Sequence, residues 1–508
     1  MYSSTLALAI LSSLFATTTA TGLTVTTAQG AVAGSLVLPR VRQWLGIPFA
    51  TAGRWEAPTT PPVRTSTLTT TAYGKSCYQL TTLTTDYYLQ FAHQDEALTE
   101  GEDCLTLNIW APSISRPQNT AVLIWIYGGG FQFGATDLKV YDGRNFVRDS
   151  DDLIVVTFNY RLNLFGQPNA PQLVSPTASQ NFGLLDQKAA IDWVKNNIAA
   201  FGGDPNRITI WGQSAGGTSA DIWAQAYPTD TTVKGTISSL GDLGSPTLDS
   251  APWATVATAV GCGNTADAAQ LTCMKSKTAA SLIQAAKDAD IIFFKLVTDD
   301  IIIHSDWANR MTTGNFLKVP TVVGTVQHEG DALIVGGELA ARGNAPPFIT
   351  TARADILSQL GGTCGASGAS ADRLNNGVTT WRYQYQAVFP GITTRQDLRA
   401  FHGSDIPIIF GTFASVQTSP APTVPELSLS LYVKNAWSKF ARNPATGLTT
   451  VGWPTYNPSS DTLVQLGNVQ NPDGVTLGSP SLLDATCSHT AELFSVLTQL
   501  NTIASAIP

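Results

Sequence analysis

The stretch WGQSAGG, residues 211–217, constrains the fold of this chain more than any other. Ser214 lies between Gly212 and Gly216, after a strand-like apolar run and before a run with helical spacing. A serine on so sharp a turn has a strained backbone, and larger residues beside it would collide with the adjoining strand and helix. The pattern therefore predicts a nucleophile elbow with Ser214 at its tip. The alternative is a glycine-rich turn with an idle serine.

Short apolar runs alternate with helical patterns through the middle of the chain. Four of them are rich in β-branched and aromatic residues and predict strands: AVLIWIY (121–127), LIVVTFNY (153–160), RITIWG (207–212) and VPTVVGTV (319–326). Residues 184–201 have helical spacing and end at a Gly-Gly pair. The alternation predicts an α/β fold with a mostly parallel sheet flanked by helices. Residues 333–400 are less regular, and we expect them to cover one end of that sheet.

The composition of the chain bears on the class of protein and on its location. The chain has 508 residues, a net charge of −8 and only 13% charged residues, without a cluster of lysine and arginine. This balance argues against a nucleic-acid partner. Residues 1–20 have the short apolar core and small-residue end of a secretory signal peptide, and no later apolar run is long enough to span a membrane. We predict a secreted protein without a membrane anchor, formed by a single domain over residues 21–508.

Six cysteines fit an oxidising, extracellular destination. Their order along the chain suggests three neighbouring pairs: Cys77 with Cys104, Cys262 with Cys273, and Cys364 with Cys487. Sequence alone does not choose among the possible pairings, and buried free thiols are the alternative. The chain has no Cys-x-x-Cys pair and no cysteine–histidine cluster, so we expect no metal site.

A glycine triplet in IYGGGF, residues 126–131, follows the first of the predicted strands. Alone it would indicate a tight turn. Beside a nucleophile elbow, the backbone N–H groups of Gly129 and Gly130 can converge with that of Ala215 on one oxygen atom. Loss of one such donor typically costs roughly 3 kcal/mol in the transition state. We therefore predict an oxyanion hole formed by these three residues.

Together these motifs resemble the type-B carboxylesterase family, which includes cholinesterases and fungal esterases and lipases. The similarity is dense over residues 100–220, and the chain looks most like the secreted fungal members. It is carried by EDCLTLNIW (102–110), WIYGGGF (125–131), FNYRLNLFG (158–166), NFGLLDQKAAIDWV (181–194) and FGGDPNRITIWGQSAGG (201–217), and more loosely by VPTVVGTVQHEG (319–330) and FHGSDIPIIFG (401–411). The resemblance implies the α/β-hydrolase fold and hydrolysis of carboxylic esters by a Ser–Glu–His triad, in that chain order. No metal or organic cofactor is expected for this chemistry.

The chain order of that triad helps to select its other two members. Of the five histidines, His402 in FHGSDIP lies after the elbow and, as in the family, before a glycine. Glu329 in QHEGD matches the family glutamate that follows the VPTVVGTV strand, and Asp331 is the alternative acid. We predict that Ser214 is the nucleophile and His402 its general base. Glu329 then orients the histidine and stabilises its cation.

The residue before the serine bears on the choice of substrate. Most relatives have glutamate there, and this chain has Gln213, which removes a negative charge next to the site. One charge at about 5 Å is worth up to roughly 3 kcal/mol at an effective dielectric constant near 20. The site should therefore prefer neutral esters to cationic choline esters.

The loop between Cys77 and Cys104 resembles a segment that forms a mobile lid in lipase members of the family and carries a choline-binding tryptophan in cholinesterases. Here the loop has no tryptophan and is shorter than a typical lipase lid. Tyr88 and Phe91 in this loop are predicted to line the mouth of the substrate pocket, and packing on the body is the alternative. Trp253 resembles an acyl-pocket aromatic residue, with core packing as its alternative.

These observations favour one function over two others. The first is a secreted serine carboxylesterase that hydrolyses neutral short-to-medium acyl esters through an acyl-enzyme. The second is a triacylglycerol lipase with the Cys77–Cys104 loop as its lid. The third, a non-catalytic binding protein of the same fold, fits least, because such relatives lack at least one triad residue. The physiological ester, the movement of the loop and the oligomeric state, monomer or dimer, are left open.

Overall fold

The computed structural model describes residues 22–239, 246–341, 346–416 and 421–505, so the predicted signal peptide lies outside the described residues. Within these ranges the strands are β1 Thr24–Thr27, β2 Gly30–Ala33, β3 Ser35–Leu38, β4 Val41–Pro48, β5 Leu68–Thr69, β6 Thr106–Pro112, β7 Thr120–Ile126, β8 Leu153–Phe158, β9 Gly203–Gln213, β10 Val233–Ser239, β11 Thr321–Val326, β12 Thr380–Tyr385, β13 Leu463–Asn468 and β14 Asn471–Gly478.

The α-helices of the described ranges are α1 Leu83–Phe91, α2 Arg144–Asp149, α3 Asn163–Gly166, α4 Phe182–Asn197, α5 Ala215–Ala226, α6 Ala251–Ala259, α7 Ala268–Ser276, α8 Ala279–Asp288, α9 Trp307–Thr313, α10 Gly330–Ala340, α11 Pro347–Leu357, α12 Cys364–Asn375, α13 Ile406–Phe410, α14 Phe413–Val416, α15 Val424–Arg442, α16 Pro480–Leu483 and α17 Thr490–Ser505. Shorter helical turns lie at Lys139–Tyr141, Pro171–Leu173, Ile198–Phe201, Ser358–Thr363, Leu448–Val451 and Ala485–His489. None of the described helices is long and apolar enough to cross a membrane.

One large sheet organises the chain. Its strand order is β14-β13-β12-β11-β10-β9-β7-β8-β6-β4-β3, and a small second sheet has the order β1-β2-β5. In this sheet order, the seven strands from β13 through β7 to β8 run parallel to one another. Strands β3, β4, β6 and β14 extend the two edges through antiparallel pairings. The predicted mostly parallel sheet flanked by helices is confirmed.

The central strands are buried along their whole length. Every residue of β7, β8, β11 and β12 is buried, and successive side chains of a strand point to opposite faces. Both faces of this part of the sheet are therefore covered, as parallel sheets require. Helix α5 packs on β9 and β10, and the long helix α15 packs on β7 and β9.

The region 333–400 differs in part from the expectation. Helices α10, α11 and α12 occupy most of it, but β12 also lies there, in the main sheet between β11 and β13. This strand, TWRYQY, was missed because it contains charged and polar residues. Its Arg382 pairs with Asp484 and also donates to the Thr363 carbonyl, so the buried guanidinium has its partners within the fold.

Three disulfides join the cysteines in the pairs that their order suggested, Cys77–Cys104, Cys262–Cys273 and Cys364–Cys487. The first closes the loop that contains α1, and the last ties the start of α12 to the segment before α17. The two cysteines of the last pair are 123 positions apart, against 11 for Cys262–Cys273.

We expect the Cys364–Cys487 disulfide to stabilise the fold more than the Cys262–Cys273 disulfide does. In the chain-entropy model, a cross-link over so long a loop is worth roughly 5 kcal/mol, and one over a short loop roughly 3 kcal/mol. Replacing both members of the pair with serine should lower the urea midpoint more than the same replacement at Cys262 and Cys273. Equal or reversed losses would contradict this ranking.

Candidate active site

Ser214 occupies the sharp turn between β9 and α5. Its backbone has φ 56° and ψ −127°, a left-handed conformation that residues other than glycine seldom adopt. A Cβ atom on Gly212 would overlap the backbone of Gly216, and one on Gly216 would overlap the carbonyl oxygen of Ile126 at the end of β7. The two glycines therefore allow the strand, the turn and the helix to approach closely. The Ser214 N–H donates to the carbonyl oxygen of Ser239, 2.8 Å away, which ties the turn to β10.

The glycine triplet lies beside this turn. Gly129 and Gly130 have φ values of 103° and 61°, and a Cβ atom on Gly128 would lie only 2.8 Å from the Cβ of Ser214. The Gly129 carbonyl accepts from the N–H of Gln132, but the N–H groups of Gly129 and Gly130 donate to no acceptor within the described ranges.

Ala215 adds a third free donor next to Ser214. It is the first residue of α5, so its N–H has no acceptor within the helix. Gly129, Gly130 and Ser214 border the same cavity. The three N–H groups are thus available to a negatively charged oxygen bound beside the serine hydroxyl.

Glu329 and His402 meet through a short hydrogen bond. The distance from Glu329 Oε2 to His402 Nδ1 is 2.6 Å, and both residues are buried. The other carboxylate oxygen, Oε1, accepts from the N–H of Val326 at 2.8 Å, which fixes the orientation of the carboxylate. With the Nδ1 proton donated to Glu329, the imidazole Nε2 keeps its lone pair and can accept a proton.

The Gln213 amide contacts the same ring. Its Nε2 lies 3.0 Å from His402 Nε2 and 3.4 Å from His402 Nδ1, so the amide lies over the imidazole ring and not along the outward lone pair of Nε2. No hydrogen bond joins Ser214 Oγ to His402, although both residues are among those described and both line the same cavity. The outward lone pair of Nε2 therefore stays available to the serine hydroxyl.

Asp331, the alternative acid, is engaged elsewhere. Both of its carboxylate oxygens accept from the Arg399 guanidinium, at 2.9 and 2.6 Å. Arg399 also donates to Asp355, 2.7 Å away, and thus links α10, α11 and the segment that leads to His402. Since Asp331 follows Glu329 by two residues and Arg399 precedes His402 by three, this ion pair joins the two segments that carry the hydrogen-bonded pair.

A backbone pairing reinforces the same junction. His328 and Phe401 form an isolated parallel β-bridge, and the His328 N–H donates to the carbonyl oxygen of Ala400 at 2.9 Å. The His328 ring faces Asp355, with Nδ1 3.4 Å from the carboxylate. Burial and the nearby Arg399 charge lower the pKa of His328.

His328, Asp331 and Asp355 are close enough to one another to share a cation, a grouping that the sequence analysis did not identify. The Arg399 guanidinium already lies against both carboxylates and supplies the positive charge there. The grouping therefore serves as an ion-pair junction.

Two further ionisable groups, Asp405 and Tyr88, lie near the Glu329–His402 pair. Burial raises the pKa of Asp405 to about 7, and the charge of Glu329 adds to this shift. The Tyr88 hydroxyl donates to the backbone carbonyl oxygen of His402 at 3.2 Å, and burial raises the pKa of this phenol. Tyr88 therefore connects the Cys77–Cys104 loop directly to the histidine.

A cavity of about 380 Å³ opens from Ser214. Its walls are mainly apolar side chains and uncharged amide or hydroxyl groups, and His402 is the one ionisable imidazole among the described lining residues. Apolar and aromatic lining residues are Leu80, Tyr88, Leu89, Leu98, Phe133, Leu138, Tyr141, Ile292, Phe293 and Leu333. Gln213 and Tyr88 thus border the cavity, as the sequence indicated.

The predicted pocket positions of Trp253 and Phe91 are corrected. Trp253 is buried in a separate apolar cluster, with its ring centroid 4.8 Å from that of Trp55 and its indole N–H donated to Gln270. Phe91 is buried in the main core at the end of α1 and stacks on Tyr87. For both residues the alternative of core packing is the one observed, because their rings face inward from the helices that carry them.

Sequence reasoning also missed several lining residues. Gln94 and Leu98 lie in the loop closed by Cys77 and Cys104, which the cysteine order had marked. Tyr141 follows the glycine triplet by eleven residues and gave no signal of its own. Phe293 and Leu333 lie far along the chain from either motif.

The parallel sheet and the serine turn at the end of β9 define an α/β-hydrolase. Residues 21–342 match the model of the carboxylesterase family, and the chain belongs to this family. It is 32% identical to the chlorogenic acid esterase of Aspergillus niger over 87% of this chain and 90% of that protein, and 32% identical to secreted lipase 5 of Gibberella zeae over 72% of each. A solved structure of PNB esterase superposes with a TM-score of 0.75 at 26% identity, covering 92% of this chain and 99% of that one. The protein is a carboxylic ester hydrolase.

We expect the Asp331–Arg399 ion pair to contribute measurably to stability. Arg399 and Arg395 are equally exposed, at 33% and 35%, but their partners differ: Asp331 is 6% exposed and Asp397 is 56% exposed. Arg399→Leu leaves a buried carboxylate without its partner and should lower the free energy of unfolding by about 2 kcal/mol. Arg395→Leu, the matched control, should cost less than about 1 kcal/mol. Equal losses in urea denaturation would contradict this account.

Proposed function

We propose that this protein is a serine esterase in which Ser214, His402 and Glu329 form the catalytic triad. The observation that carries the proposal is the 2.6 Å hydrogen bond between Glu329 and His402 at a cavity that Ser214 also lines. The strained turn at Ser214 supports the role of nucleophile, since such strain is typical of functional sites. Pairing of Asp331 with Arg399 favours Glu329 as the acid.

The mechanism follows from these roles. His402 Nε2 takes the proton of Ser214 Oγ as this oxygen attacks the ester carbonyl, and the resulting oxyanion accepts from the N–H groups of Gly129, Gly130 and Ala215. His402 then donates the proton to the departing alcohol. Water repeats the sequence on the acyl-enzyme. For the first step, the serine hydroxyl must come within hydrogen-bonding distance of Nε2, with which it forms no hydrogen bond in this structure.

The preferred substrates in this proposal are neutral esters with short-to-medium acyl chains. Neither an acidic nor a basic side chain apart from His402 lines the described part of the cavity. A charged substrate group would lose its hydration there without gaining a partner. The neutral Gln213 next to Ser214 supports the same preference.

A triacylglycerol lipase is the second candidate, and the residues at the mouth of the cavity favour it. Ile292, Phe293 and Leu333 border the cavity and are 56%, 52% and 40% exposed. Large exposed apolar side chains at a pocket mouth can contact a lipid surface. In this case the Cys77–Cys104 loop, with α1 packed against α10, would be the lid.

We also propose that the protein is secreted as a single domain over residues 21–508 after removal of residues 1–20. All six cysteines are paired, which is typical of proteins in oxidising compartments. One of the fungal relatives is named as a secreted lipase.

Hydrolysis of p-nitrophenyl esters from acetate to palmitate tests the triad and separates the two candidates. Ser214→Ala should abolish hydrolysis, and Glu329→Gln should lower kcat by about 10⁴-fold because the imidazole loses the partner that sets its tautomer. Asp331→Asn should retain far more activity. Near wild-type turnover in Glu329→Gln, with loss in Asp331→Asn, would instead make Asp331 the acid. A long-chain optimum that rises at an oil–water interface would identify a lipase.

The effect of Gln213 on substrate charge can be measured separately. Gln213→Glu should raise kcat/KM for acetylcholine relative to its neutral analogue 3,3-dimethylbutyl acetate by about tenfold, since one added charge attracts only the cation. The ratio is compared because an altered contact with His402 affects both substrates alike. Gln90→Glu, an exposed position on α1, supplies the same charge as a control. An unchanged ratio would show that position 213 does not select substrates by charge.

A further inference from the structure

Among the described residues, two buried polar side chains that line the cavity have no hydrogen-bond partner. Gln94 and Tyr141 are only 7% and 5% exposed, and both line the cavity. Neither the Gln94 carboxamide nor the Tyr141 hydroxyl forms a hydrogen bond with any residue in the ranges that the structure describes. Their polar end groups are open to the cavity, where a ligand group can bind them.

Two other buried glutamines in the same walls are hydrogen-bonded within the fold. The Gln79 amide donates to the carbonyl oxygens of Cys77 and Gly134, and its oxygen accepts from the Gly134 N–H. Gln132 likewise donates to two carbonyl oxygens and accepts from the Phe294 N–H. These glutamines connect loops by hydrogen bonds, whereas the end groups of Gln94 and Tyr141 form no hydrogen bond with the described residues.

The two unpaired groups lie on adjacent segments. Glu96 Oε1 accepts from the Lys139 N–H at 3.4 Å, which places the chain around Gln94 against the chain around Tyr141. The Tyr141 ring is held by Trp125 and Phe410, at centroid distances of 5.3 and 5.9 Å. Its hydroxyl is therefore presented from a fixed ring.

This end of the cavity is the interior one. Gln94, Tyr141 and the neighbouring Leu138 are buried, whereas Ile292 and Phe293 on the cavity wall are more than half exposed and mark the mouth. Leucine side chains and Phe133 line the same cavity. A ligand that fills the cavity must be apolar along its length and polar at its inner end.

We propose that the enzyme recognises esters carrying a hydroxyl group remote from the scissile carbonyl, on an apolar body about the size of a phenyl ring, and that Gln94 and Tyr141 bind this hydroxyl. An amide and a phenol together offer donors and an acceptor, which match a hydroxyl group. A carboxylate or an ammonium group is disfavoured because no opposite charge lines the cavity. The inference rests on the proposed function and narrows its substrate class.

Matched ester pairs test this inference with wild-type enzyme. In the acyl arm, methyl 3-(4-hydroxyphenyl)propanoate is compared with methyl 3-phenylpropanoate. In the alcohol arm, 2-(4-hydroxyphenyl)ethyl acetate is compared with 2-phenylethyl acetate. We expect kcat/KM to be about tenfold or more higher for the hydroxylated member in one arm, because a site built to bind a hydroxyl group discriminates against the analogue that lacks it. The arm that discriminates identifies which side of the ester enters the interior end.

Two substitutions assign the effect to its residues. Tyr141→Phe and Gln94→Met each remove a polar group at nearly constant volume, and each should reduce the discrimination by about tenfold while hydrolysis of the unsubstituted ester persists. Tyr87→Phe and Gln90→Met, both in the Cys77–Cys104 loop, are the matched controls for the two kinds of substitution, since neither residue lines the described cavity. Both controls should keep the wild-type ratio.

The remaining outcomes overturn the inference in different ways. Equal kcat/KM within both pairs for the wild type would mean that Gln94 and Tyr141 only hold water. Discrimination that survives both substitutions would place the hydroxyl site elsewhere. If none of the four esters is hydrolysed in a Ser214-dependent manner, the proposed function is overturned as well. If the inference alone is wrong, the two unsubstituted esters are still hydrolysed.

Discussion

The close approach of the chain at the ends of β7 and β9 is the constraint on which the site depends. Gly216 packs against the carbonyl of Ile126, and Gly128 packs against the side chain of Ser214, so the serine turn and the glycine triplet form one packing unit. The N–H groups of the triplet therefore border the space in front of the serine. A side chain at Gly212, Gly216 or Gly128 would separate the two loops and remove this arrangement.

Local motifs made this part of the molecule predictable. The serine turn, the glycine triplet and the four long apolar strands each have a signature within a few residues, and the predicted parallel sheet was confirmed on that basis. β12 was missed because Arg382 interrupts its pattern, and the acid that neutralises Arg382 lies about a hundred residues further along the chain. The aromatic residues Trp253 and Phe91 were misplaced for a related reason. A sequence shows that such a ring is buried but not whether it faces the core or a cavity.

The choice between Glu329 and Asp331 illustrates the same limit at the site itself. The two carboxylates are separated by one residue, and both follow the same strand. Because α10 begins at Gly330, the chain turns by roughly 100° per residue there and directs the two side chains apart. Glu329 reaches His402, whereas Asp331 reaches Arg399. The partners lie about 70 residues further along the chain, and the β-bridge between His328 and Phe401 brings the two segments together.

The Cys77–Cys104 loop connects the histidine to the interior of the cavity. Tyr88 in this loop donates to the carbonyl oxygen of His402, and Gln94, six residues later, lies at the inner end of the cavity. A ligand group that binds Gln94 therefore acts on the same short segment that contacts the backbone of the histidine. The proposed hydroxyl site and the backbone of His402 are thus contacted by the same disulfide-closed loop.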